Sequence, residues 1–61
     1  MNEYDVKRLA LVLEVQAKIE GMKAENKQRE ISGHDLSYNE SHFNDMASQL
    51  SNLAYAHNEQ L

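Results

Sequence analysis

From Glu3 to about Ile31 apolar residues recur with the spacing of a helix, among good helix formers: Ala, Leu, Glu, Lys, Gln and Met. On a wheel turning about 100° per residue they form two stripes rather than one. Tyr4, Leu11, Val12, Val15, Ile19 and Met22 make a bulky stripe. Val6, Ala10, Leu13, Ala17 and Ala24 make a smaller one, with Gly21 at its edge and Leu9 beside Leu13. Two polar stripes separate them. A surface helix normally needs to cover one apolar stripe, so this helix needs two covers.

Local chemistry sets the expected ends. Asn2 can cap the first helix, with Asp5 three residues on. Gly33, in "ISGHDLS", can take the left-handed conformation that closes it. In "SYNE", Ser37 stands as an N-cap with Glu40 three residues later. The pattern therefore predicts a second helix over about 38–59, after a turn over 32–37. Its one stripe holds Phe43, Met46, Ala47, Leu50, Leu53, Ala54, His57 and Leu61, close to a coiled-coil seam.

One stripe on the second helix covers one of the two on the first. Folding back near residue 34 sets Met22 near Met46, Ile19 near Leu50, Val15 near Leu53, and Leu11 with Val12 near His57. The expected hairpin core is thus Leu11, Val12, Val15, Ile19, Met22, Phe43, Met46, Leu50, Leu53 and His57. The expected oligomer interface is Val6, Leu9, Ala10, Leu13, Ala17, Gly21 and Ala24, met by the same stripe of another copy across a two-fold axis. The fold class is all-α: an antiparallel two-helix hairpin over 1–61, assembling into a homodimeric four-helix bundle or a higher helical oligomer.

Size agrees with that expectation. Chains of 61 residues form at most one small domain, and such domains usually need disulfides, a metal or oligomerisation. There is no cysteine, which excludes disulfides and thiolate metal sites, and no proline. No apolar run approaches the length of a membrane span, and "MNEYDVKR" lacks the layout of a signal peptide. The expected compartment is the cytoplasm, with no membrane partner.

Charge narrows the partners. The net charge is −4, and all six Lys and Arg residues (Lys7, Arg8, Lys18, Lys23, Lys27, Arg29) precede residue 32, among six acids. The remainder carries four acids and no Lys or Arg, which suits neither a phosphate backbone nor an anionic membrane. Glu3–Lys7, Glu14–Lys18 and Glu25–Arg29 are i,i+4 pairs that trace a solvated stripe.

Chemistry-bearing residues are sparse. His34, His42 and His57 match neither Glu-x-x-His nor an i,i+4 His pair, so neither a metal nor another cofactor is expected. With no Cys, no glycine-rich phosphate loop and carboxylates on a wet face, the chain reads as non-enzymatic. Asn26, Arg29, Tyr38 and His42 near the hairpin tip, and Tyr55 at the other end, are the candidate ligand or partner contacts. The leading expectation is a homo-oligomeric interaction protein that docks on or regulates another protein. The alternative is an oligomer holding a small ligand, anionic ones included, at inter-subunit pockets. In length and topology, a hairpin dimerising into four helices resembles the Rop family of plasmid RNA-binding regulators. That resemblance implies RNA binding but assigns no residue of this chain to it.

Overall fold

The computed structural model describes residues 2–61 and contains two α-helices and a closing helical turn. Helix α1 spans Glu3–Ile31, α2 spans Glu40–Tyr55, and a 3-10 turn covers Asn58–Gln60. Among the described residues there is no strand. The helices lie side by side as a hairpin measuring 47 × 19 × 11 Å. The smallest dimension is about the diameter of one helix with its side chains. The molecule is therefore one layer thick, whereas packed domains are built from at least two layers.

The first helix starts and stops by local chemistry. Asn2 Oδ1 accepts from the Asp5 N–H at 2.8 Å, capping the start. At the far end the Gly33 N–H donates to Glu30 O at 3.2 Å and the His34 N–H to Arg29 O at 2.8 Å. This is a Schellman closure, and Gly33 takes the positive φ of 76° that it requires.

The second helix is shorter than its pattern predicts. It begins at Glu40, capped by Asn39 rather than Ser37. The His42 N–H donates to Asn39 Oδ1 at 3.2 Å, and the Asn39 N–H donates back to His42 Nδ1 at 3.1 Å. His42 thus fills the place that Glu or Gln usually takes in a capping box. Ser37 instead donates to Glu25 Oε1 at 3.5 Å, across the turn. The helix ends at Tyr55, and the backbone is extended at Ala56 and His57. His57 consequently lies outside α2 and exposed, not in the hairpin core.

The face of α1 turned to α2 is the bulky one. Val15 and Met22 are buried, and Leu11, Val12 and Ile19 are half-buried. From the other side Phe43, Met46, Leu50, Leu53, Ala56 and Leu61 are half-buried. Two polar anchors bracket this contact. At the tip, Asn26 Nδ2 donates to Tyr38 O at 2.9 Å while the Tyr38 N–H donates to Asn26 Oδ1 at 3.0 Å. At the open end, Arg8 Nη2 donates to Ala56 O at 2.8 Å. Asn26 and Arg8 lie 18 positions apart, as do Tyr38 and Ala56, so the two segments run in step between the anchors. The ion pairs among the described residues are Glu14–Lys18 at 3.7 Å, Glu20–Lys23 at 3.3 Å and Glu25–Arg29 at 2.9 Å. All three lie on exposed surface and contribute at most a few tenths of a kcal/mol each.

Candidate functional site: the outer face of α1

Leu13 lies half a turn of the helical wheel from Met22, so it faces directly away from α2. Val6, Leu9 and Leu13 are 54%, 48% and 54% exposed, and Ala10, Ala17, Gly21 and Ala24 are exposed around them. Among the described residues nothing covers this face. Scattered exposed Leu residues are ordinary, whereas a contiguous apolar row on one helix face is less so.

The row also has an order that wheel reasoning by stripes overlooks. Positions 6, 10, 13, 17, 20 and 24 follow the alternating four-and-three spacing of a coiled-coil seam. Val6, Leu13 and Glu20 recur every seven residues, and so do Ala10, Ala17 and Ala24. Glu20 is the polar member of the six, and it is held by Lys23. Counting in heptads rather than turns adds Glu20 to the stripe already named from the sequence and gives its members an order.

Gly21 stands on the alanine side of the face, near the middle of a 29-residue helix. Glycine there costs up to about 1 kcal/mol relative to alanine. Among the described residues, and apart from the helix's own adjacent backbone, no atom lies within 4 Å of where its Cβ would be, so packing within the hairpin gives no reason for it.

The tip residues come together but are occupied. Asn26 spends both ends of its amide on the Tyr38 backbone. Arg29 Nε is paired with Glu25, and His42 completes the Asn39 cap, with its ring edge-on to Tyr38 at a centroid distance of 5.6 Å. A shallow groove of about 400 Å³ beside Arg29 is lined by Glu25, Gln28, Ser32 and His34, and excludes Asn26, Tyr38 and His42. The four candidates therefore do not converge on a common ligand position. Tyr55, at the other end, is 86% exposed.

Two larger grooves flank the helix pair. One, of about 660 Å³, includes Leu11, Val15, Lys18, Asn52, Leu53 and Tyr55. The other, of about 530 Å³, joins Leu13 and Ala17 of the outer face to Ile19 and Leu50. Among the described residues no cluster of three or more His, Asp or Glu could hold a metal ion, and no helix is long and apolar enough to cross a membrane.

Arg8 is the side chain joining the two ends of the chain that sequence reasoning missed. Its guanidinium reaches Leu53 O at 3.4 Å, Ala56 O at 2.8 Å and Asn58 Oδ1 at 3.3 Å. It satisfies the last carbonyls of α2, a helix with no basic residue in its own last turn. The signal in the sequence is that absence, together with an arginine at the distance of one hairpin. Comparison with known protein families, curated proteins and solved structures gives no match to this chain.

Proposed function

We propose that this chain is a small non-enzymatic helical interaction protein that self-associates through the outer face of α1 and docks on or regulates another protein. The observation that carries the reading is the row of Val6, Leu9 and Leu13, about half exposed on a hairpin one layer thick. Burying such a row against a second helix contributes roughly 25 cal/mol per Å² of apolar surface removed from water. With two of the described side chains buried inside the hairpin, its stability draws on that added helix–helix contact. Concentration-dependent melting tests this. Folding coupled to assembly raises Tm as the chain is concentrated. A Tm that stays constant over a hundredfold dilution would remove the self-association reading.

One observation favours a second reading, a small-ligand binder. The 660 Å³ groove falls within the usual range of ligand pockets and brings Lys18, Asn52 and Tyr55 beside Leu11 and Leu53. A ligand of that kind would sit along the helix pair rather than at the hairpin tip, where Arg29, Asn26 and His42 are already engaged.

A further inference from the structure

We infer that the occupant of the α1 outer face is a second copy of this chain, with its α1 antiparallel and the two-fold axis passing near residue 15. The inference rests on the self-association proposed above and specifies its geometry.

Area gives the first argument. The chain exposes 4778 Å², roughly 700 Å² more than mass scaling allows a compact monomer of 7.0 kDa. Standard interfaces bury about 800 Å² per partner, so one such contact would remove the excess.

Side-chain size gives the direction. With the axis at residue 15, Val6 lies level with Ala24 of the other copy, Leu13 with Ala17, and Ala10 with Glu20. Each layer then joins a larger side chain to a small one, and the helices keep an even spacing along the seam. A parallel pair would instead stack Leu13 on Leu13 and Ala17 on Ala17, alternating wide and narrow layers. It would also set Glu20 against Glu20, and like charges in contact are destabilising. The alanine row and Gly21, with open space at its Cβ position, leave room for a close approach.

Charge agrees. Asp5 and Lys23 lie on the same flank of α1, and the antiparallel pair brings them within one helical turn of each other across the interface. Because α2 packs on the far side of α1 from Leu13, the assembly is a four-helix layer with the two α1 helices at its centre, not a square bundle.

The natural chain has no cysteine, so introduced thiols report only their own position. V6C and A24C, both at exposed positions, would be oxidised gently alone and as a mixture, and the disulfides read by mass. Circular dichroism would confirm that each variant folds. The expected result is a mixed V6C–A24C disulfide at least about tenfold more abundant than the V6C self-disulfide, since the linked thiols are held at high effective concentration. Dominant V6C self-linkage would overturn the antiparallel geometry while leaving self-association standing. No linkage in any sample, from a chain that sediments as a monomer, would overturn both.

Discussion

The Arg8 guanidinium lies against three oxygens from the other end of the chain, the carbonyls of Leu53 and Ala56 and Asn58 Oδ1. A cation at a helix C-terminus gains from the helix dipole as well as from charge-assisted hydrogen bonds. Replacing Arg8 by Ala removes these bonds and should cost about 2 kcal/mol of stability in urea unfolding. Lys at the same position keeps the charge but not the fork of donors, and should recover only part of that loss. A loss in Arg8→Ala within the roughly 0.5 kcal/mol typical of surface substitutions would contradict this role. The lack of a basic residue in the last turn of α2 was legible in the sequence, but the bonds themselves were not, because the partners are 45 to 50 residues from Arg8. Asn26 was legible as a polar residue of the tip, but not as the amide that pairs with the Tyr38 backbone. A side chain that bonds backbone leaves no mark on its partner's identity.

Elements were read most accurately where their ends are decided within three or four residues. Asn2, Asp5 and Gly33 lie at the ends of a helix whose bounds, Glu3–Ile31, agree with the periodicity. The start of α2 was misplaced because "SYNE" offers Ser37 and Asn39 as rival caps two residues apart. The nearest acidic residue favoured Ser37, whereas the imidazole of His42 settles the contest for Asn39. Asn39→Ala should therefore lower stability by about 1 kcal/mol, and Ser37→Ala by only a few tenths. Thermal melts followed at 222 nm distinguish the two, and the reverse ranking would restore the earlier start of the helix. The end of α2 was placed four residues too late because "YAHNEQL" contains no glycine or proline. The helix stops there with the Arg8 clasp on its last carbonyls, and His57 leaves the apolar stripe with it.

At the scale of the whole molecule, the question is what a one-layer hairpin does with its second apolar face. Two stripes on α1 against one on α2 were visible from the wheel, and the structure places the bulky stripe against α2. The expectation of a four-helix assembly came from topology, while the heptad order of Val6, Ala10, Leu13, Ala17, Glu20 and Ala24 assigns it a direction. The surface that would carry function is therefore the one the hairpin does not use for itself. Native mass spectrometry of the unmodified chain beside Leu13→Asp tests that claim most directly. A species at twice the 7.0 kDa of the chain that reverts to one chain in Leu13→Asp is the predicted result. A single chain at every concentration in the unmodified protein would contradict it, leaving the outer face of α1 without its second copy.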